Sequence, residues 1–223
     1  MAKLYWRSTK TVARFGGGTS AMARISVLTS FGDTGGDGVD GGDSCGVVGG
    51  ESSLDRYAKE ILHKAGLSEC KPCSSPSMVK ASVLPSDSSA PFAFPALFRS
   101  IVGALQYLTI TRPGIAFSVN QACQHMHAPT VANFAAVKRL LRYLKGTLEH
   151  GLVYQPSFFA LNAYSDSDWA GNYHDHKSSS GYYVFLGDNL ISWSAKKQTT
   201  VSRSSTEAEY RSLAHTAAEL SWL

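Results

Sequence analysis

Long apolar runs, paired cysteines and acidic residues near the start are what this 223-residue chain has little of. No run approaches the roughly 20 residues that a membrane span needs, so no membrane partner is expected. The four cysteines, Cys45, Cys70, Cys73 and Cys123, are scattered. Cys70-Lys-Pro-Cys73 has the spacing of half a zinc site, but no second pair completes a tetrahedral set. The opening residues do not read as a secretory leader, and reduced thiols in an intracellular protein are the expectation. Charged residues make up only 17% of the chain, with a formal net charge of +4. That balance is compatible with a polyanionic partner without establishing one. His125-Met-His127 and His174-Asp-His176 offer alternate residues with no third convergent ligand, and read as polar surface.

No acid precedes Asp33. Lys3, Arg7, Lys10 and Arg14 recur at helical spacing among hydroxyl and apolar residues, a pattern like that of a mitochondrial transit peptide. An unselected N-terminus with no address accounts for it equally well. From Gly16 to Gly50 the chain spends more than half of its 20 glycines, and such a segment buries too little surface to offset its ordering entropy. Disorder is expected there. The spacing fits neither an EF-hand nor a phosphate-binding loop.

Periodicity predicts structure from Leu54 onward. Leu54, Tyr57, Ile61 and Leu62 share one face of a helix that Gly66 ends. The stretch from Cys70 to Pro95 is rich in Pro and Ser, and reads as a linker. Leu97, Ile101, Leu105 and Leu108 make the next stripe; Ile115, Val119 and Cys123 follow Pro113; Phe134, Val137, Leu141 and Leu144 make a third. These helices can bury one another. On the last of them Lys138, Arg142 and Lys145 lie together on the exposed side with Arg139 flanking, a cluster able to track phosphates without sequence preference. Solvated basic residues on a helix face are the plainer reading.

After Pro156 the pattern changes to strands at 161–166, 181–186 and 190–194, the last two flanking Gly187-Asp-Asn189, and a helix starts at Ser204. Asp166 and Asp168 fall on one face of their strand, and spacing alone does not choose between them. On the helix, Glu209 heads an apolar stripe with Leu213, Ala217 and Leu220, where a carboxylate is costly unless paired, exposed at the helix end or bound to a cation. Glu207 shares a face with Arg211 and closes a Ser204-x-x-Glu207 capping box, a structural role. Carboxylates gathered from separate elements are what a Mg²⁺ site requires.

The words Tyr164-Ser-Asp-Ser-Asp-Trp-Ala-Gly171, Ser178-Ser-Ser-Gly-Tyr182, Leu190-Ile-Ser-Trp-Ser194 and Lys196-Lys-Gln-Thr-Thr-Val-Ser-Arg-Ser-Ser-Thr-Glu-Ala-Glu-Tyr-Arg211 occur in an order that resembles the ribonuclease H domain of copia-type (Pseudoviridae) retrotransposon Pol polyproteins. Upstream, Arg99-Ser-Ile-Val-Gly-Ala-Leu-Gln-Tyr-Leu-Thr109, Thr111-Arg-Pro-Gly-Ile-Ala-Phe117, Met126-His-Ala-Pro-Thr130 and Lys138-Arg-Leu-Leu-Arg-Tyr-Leu-Lys-Gly-Thr147 resemble the region connecting reverse transcriptase to ribonuclease H. The helix at 54–66 with its Cys-Lys-Pro tail resembles the distal reverse transcriptase. The chain is thus similar to plant organelle-type remnants of such polyproteins. Gly114 stands where the family typically carries Asp.

The resemblance implies an α/β fold: a ribonuclease H-like domain with a three-stranded meander plus one helix (156–223), preceded by a helical connection region (97–155), a reverse transcriptase remnant helix and linker (54–96) and a disordered N-terminus (1–53). It makes Asp166 the first catalytic and metal-binding carboxylate and Glu209 the second, leaves Asp168 a companion, implies Mg²⁺ as cofactor and RNA–DNA hybrid as partner, and raises Lys138, Arg139, Arg142 and Lys145 as nucleic-acid contacts. The family's catalytic palm and its third catalytic Asp have no counterpart here. The expectation is a remnant whose ancestral activity is hydrolysis of RNA in hybrids, inactive by itself and holding Mg²⁺ weakly. A non-enzymatic nucleic-acid-binding remnant and a translated pseudogene without function are the alternatives.

Overall fold

The computed structural model describes residues 23–27, 53–77, 90–172 and 175–223. The basic, transit-like stretch, nearly all of the glycine-rich tract with Cys45, the Pro/Ser-rich residues 78–89 and His174 lie outside the described residues. The described chain is mixed α/β, five helices with an antiparallel sheet, and none of those helices is long and apolar enough to cross a membrane.

Four helices form a block: α1 (Ser53–Lys64), α2 (Pro95–Leu108), α3 (Ala116–Cys123), entered through a short 3-10 turn at Pro113–Ile115, and α4 (Val131–Gly146). Each follows local rules. Pro95 opens α2, where its missing N–H costs nothing. Thr130 caps α4 by accepting from the Asn133 N–H, while the Asn133 side chain accepts from the Thr130 N–H. The apolar stripes meet in one cluster that includes Ile61, Leu62, Phe98, Ile101, Leu105, Val137, Leu141 and Leu144. Arg112 is buried beside it, with its guanidinium donating to the carbonyls of Thr147 and Leu148 and 3.5 Å from Asp55. It ties the start of α1 to the end of α4. Burial lowers its pKa, opposed by the Asp55 carboxylate.

Of the segment read as a linker, the part around Pro72 and Cys73 lies on α4. The Cys73 N–H donates to the Arg142 carbonyl, and the Cys73 thiol to the Arg139 carbonyl at 3.3 Å. A Cβ on Gly146 would come within 2.9 Å of Pro72 Cβ, so the close approach needs glycine there.

The expected meander is present as β2 (Leu161–Asp168), β3 (Ser179–Leu186) and β4 (Asn189–Lys197), antiparallel throughout. A fourth strand, β1 (Ala23–Val27), pairs antiparallel with the outer edge of β2, Ala23 opposite Ser165 and Val27 opposite Leu161. This differs from the disorder expected of residues 1–53. Ala-Arg-Ile-Ser-Val is a short β-compatible run among glycines, and the edge of β2 offers it a ladder.

Helix α5 (Ser205–Trp222) covers one sheet face. The buried residues Ala163, Ser165 and Ser167 of β2 alternate to that face. The helical block meets the other: Trp193, in cross-strand register with Tyr183 and through it with Tyr164, donates its indole N–H to the Thr109 carbonyl at 2.8 Å. The sheet is therefore the middle of three layers. Residues 151–160 run from α4 to β2 pinned to the β3–β4 turn, Asn189 pairing with both the N–H and carbonyl of Gln155.

The seating of α5 corrects the stripe read from periodicity. Ala208, Ser212 and Thr216 are the buried residues, whereas Leu213 and Leu220 are half-buried and Ala217 is exposed. Small side chains let the helix axis approach the sheet, and hydrogen bonds rather than leucines fix it. Ser212 Oγ donates to the Asp166 carbonyl at 2.9 Å, and Thr216 Oγ1 to the Ser212 carbonyl.

Candidate functional site

Asp166 and Asp168 stand on the sheet face opposite α5, by the same alternation that turns Ser165 and Ser167 toward the helix. Asp166 is half-buried, and one of its oxygens accepts from the Ser167 N–H at 2.9 Å. Asp168 is drawn into a structural role. It accepts from the Ser179 N–H across the loop that joins β2 to β3, and a Cβ on Gly171 would overlap its carboxylate. Burial raises its pKa, the Ser179 hydrogen bond opposes this, and the charge of neighbouring Asp166 adds to the rise. The loop is further held by Ser178 Oγ, which accepts from the Ala170 N–H at 3.1 Å, and by the Asp175–Lys197 ion pair at 2.7 Å.

Glu209 is half-buried on α5, one turn before Ser212. The helix crosses β2 at Asp166, since Ser212 holds the Asp166 carbonyl. The crossing brings the backbone of one acidic element against the turn that carries the other, with the two carboxylates issuing on opposite sides of the strand. Glu207 takes the structural part expected of it, in altered form. Ser204 caps the helix by accepting from the Glu207 N–H, but the Glu207 carboxylate reaches back to the Arg203 N–H rather than that of Ser204, and also pairs with Arg211 at 2.6 Å. These contacts hold its pKa below the usual carboxylate range, the Arg203 N–H foremost.

The oxygen donors here are of the kind a hard cation takes. The set is short for two ions: Asp168 is committed to Ser179, and among the described residues no three of His, Cys, Asp and Glu gather as metal ligands.

One buried residue organises the crossing. Gln198, 7% exposed, donates from Nε2 to Ser167 Oγ, Ser180 Oγ and the Ala208 carbonyl, and accepts from Ser202 Oγ. It ties β2, β3, the β4–α5 loop and α5 together. Pattern reading missed it, because a Gln in a polar run carries no periodic signal.

The basic helix face is partly spent on structure. Arg142 Nε donates to the Lys71 carbonyl at 2.7 Å and Lys145 Nζ to the Ser68 carbonyl at 2.6 Å, clamping residues 68–73 onto α4. Arg139 is half-buried, with its Nε enclosed and without a hydrogen-bond partner. Lys138 is exposed, its ammonium 5.0 Å from the Phe134 ring centroid. A groove of about 480 Å³ between α2, α3 and β4 is lined by Gln106, Thr109, Asn120, Cys123 and Trp193 among others, with no charged residue.

The chain is similar to an uncharacterized mitochondrial protein of Arabidopsis thaliana, 55% identical over 171 residues that cover 76% of this chain and 70% of that one. It is 46% identical over 172 residues to the retrovirus-related Pol polyprotein from transposon RE2 of the same plant, and 33% identical over 181 residues to that from transposon TNT 1-94 of Nicotiana tabacum. Each match covers 77% of this chain, which spans only 12% and 13% of those polyproteins. No family profile and no solved structure matches it.

Proposed function

This chain belongs to the family of copia-type retrotransposon Pol polyproteins, and from that premise we propose that it is the connection and ribonuclease H-like part of such a Pol, binding RNA–DNA hybrid without cleaving it by itself. In the longer polyprotein Asp166 and Glu209 are two of the carboxylates of a Mg²⁺-dependent site that hydrolyses the RNA strand. The observation that carries this reading is the crossing of α5 over β2 at Asp166, fixed by Ser212 and by Gln198. It fixes the backbones of an acidic strand and an acidic helix turn against each other; the Asp166 and Glu209 side chains leave β2 on opposite sides, so the crossing alone does not bring both onto one ion.

By this reading the chain alone binds hybrid rather than cutting it. Bound Mg²⁺ would supply an activated water and a stabilised leaving oxygen. Among the described residues the carboxylates at the crossing are too few to hold two ions, and a single cation there would be bound weakly. Phosphate contacts come from the exposed Lys138 and Arg142, whose charges stay at the surface although Arg142 also clamps the loop.

The test is hybrid binding and cleavage side by side. The 223-residue chain should bind labelled hybrid with an affinity that falls with salt, and should cut it no faster than background in Mg²⁺. A longer Pol segment containing this chain should cut, and Asp166→Asn or Glu209→Gln within it should abolish cleavage. Strong Mg²⁺-dependent cleavage by the 223-residue chain would overturn the binding-only reading. Full activity of the longer Glu209→Gln variant would overturn the choice of glutamate.

A further inference from the structure

Trp169 follows directly on the acidic end of β2, and it is held in an unusual way. Its indole N–H donates to the Ser202 carbonyl at 3.1 Å, yet half of the residue remains in water. An indole with its single polar group satisfied and its ring still exposed is a fixed, flat, apolar face. Its support is rigid too: Ser202 is buried and donates to Gln198, while Thr200 and Arg203 are bonded to Arg211 and Glu207.

Charge around this face is uneven. Lys197 is neutralised by Asp175 and Arg211 by Glu207. Lys196 and Arg203 are exposed, and among the described residues neither has an ion-pair partner. Arg203 adjoins the Ser202 carbonyl that anchors the indole. Lys196 lies in the cross-strand row Ser167–Ser180–Lys196, two strands or about 10 Å from Ser167. A planar apolar surface with one exposed cation on the loop that anchors it and another on the nearby sheet suits a stacked base whose phosphates run past both.

We propose that Trp169, with Lys196 and Arg203, is a stacking platform for an unpaired nucleobase of a single strand, placed beside the acidic end of β2. This rests on the nucleic-acid reading above and adds a specificity to it, for a duplex keeps its base faces stacked and gains only from the two cations. Neither Trp169 nor the loop at 198–204 belongs to the basic helix face of α4.

The test is equilibrium binding of the full chain to a single-stranded thymidine octamer and to a blunt RNA–DNA hybrid, by anisotropy. Trp169→Ala should weaken octamer binding roughly 5- to 100-fold while leaving hybrid binding within about twofold, and Trp169→Phe should keep most of the octamer affinity. Lys196→Glu and Arg203→Glu should weaken both ligands and reduce the salt slope. Should Trp169→Ala not fold, quenching of wild-type fluorescence by the octamer, lost in Trp169→Phe, gives the same answer. Equal weakening of both ligands, or no weakening of the octamer, overturns the platform. Salt-dependent hybrid binding that persists through such a result leaves the proposed function standing, and no binding of either ligand removes both.

Discussion

The two halves of this molecule are held together by different physics. The helical block buries leucine, isoleucine, valine and phenylalanine against one another. The seam between α5 and the sheet buries Ala163, Val184 and Ala208 together with Ser165, Ser167, Gln198, Ser202, Ser212 and Thr216. The first is stabilised by apolar area, which tolerates small displacements and rewards volume. The second is stabilised by hydrogen bonds whose partners lie on four elements, so a misplaced partner leaves buried groups unpaired. The candidate site sits on the second. Rigid placement of acidic groups is gained there at the expense of the generous stability that an apolar core would give.

The contrast can be broken from either side. The largest effect is expected from Leu141→Ala, at a fully buried position in the helical block, which should cost about 3–4 kcal/mol in denaturant unfolding. Amides of α1, α2 and α4 should lose hydrogen-exchange protection together. Next comes Gln198→Leu, which takes the side-chain partner from the hydroxyls of Ser180 and Ser202 and one of the partners from Ser167 Oγ and the Ala208 carbonyl; about 2–3 kcal/mol should be lost. Here protection should fall in β2–β4 and α5 and survive in the helical block. If exchange rose equally in both regions, the division into two kinds of core would be wrong. Ser212→Ala removes one bond to the Asp166 carbonyl and should cost roughly 1 kcal/mol, read as a small shift of the midpoint with unchanged slope.

The smallest effect concerns pH. Because the folded-state pKa of Asp168 is raised, chiefly by burial, its contribution to stability is full below the ordinary carboxyl pKa and is lost as pH rises through the raised value. Asp168→Asn, which can still accept from Ser179, should therefore match the wild type in acid and exceed it near neutrality, by less than about 1 kcal/mol. Asp175 and Glu207, whose pKa values are depressed, act in the opposite sense and lose their contributions on acidification. Melting temperatures from about pH 2.5 to 7 for wild type and variant separate the two, the Asp175 and Glu207 losses falling below the ordinary carboxyl pKa and the Asp168 loss above it.

Legibility followed the same division. Large apolar residues at helical spacing disclosed α2 and α4, and Ile101, Leu105, Val137 and Leu141 lie where their pattern puts them. On α5 the pattern pointed to Leu213 and Ala217, one position away from the residues that seat the helix, because hydropathy gives no weight to a serine that bonds a strand carbonyl. Arg112 and Gln198 were invisible for a related reason. Their partners are distant in sequence, 35 residues away for Arg112 and Thr147 and 31 for Gln198 and Ser167. The basic face of α4 was seen, but a Pro- and Ser-rich stretch gives no sign that residues 68–73 will lie across it. Asp166 and Glu209 were picked out by their motifs, and the strand alternation that sends the Asp166 side chain away from α5 emerged only with the burial of Ser165 and Ser167.

A helix seated on a sheet through alanine, serine and threonine sets two conditions at each contact where an apolar core sets one. In the leucine-rich block an exchange of one hydrocarbon for another of similar volume costs little. At Ser212 and Thr216 a bulkier side chain would lift the helix, while a smaller one without a hydroxyl gives up a hydrogen bond. The seam therefore restricts its residues by size and by chemistry at once, whereas the helical block restricts them by volume alone.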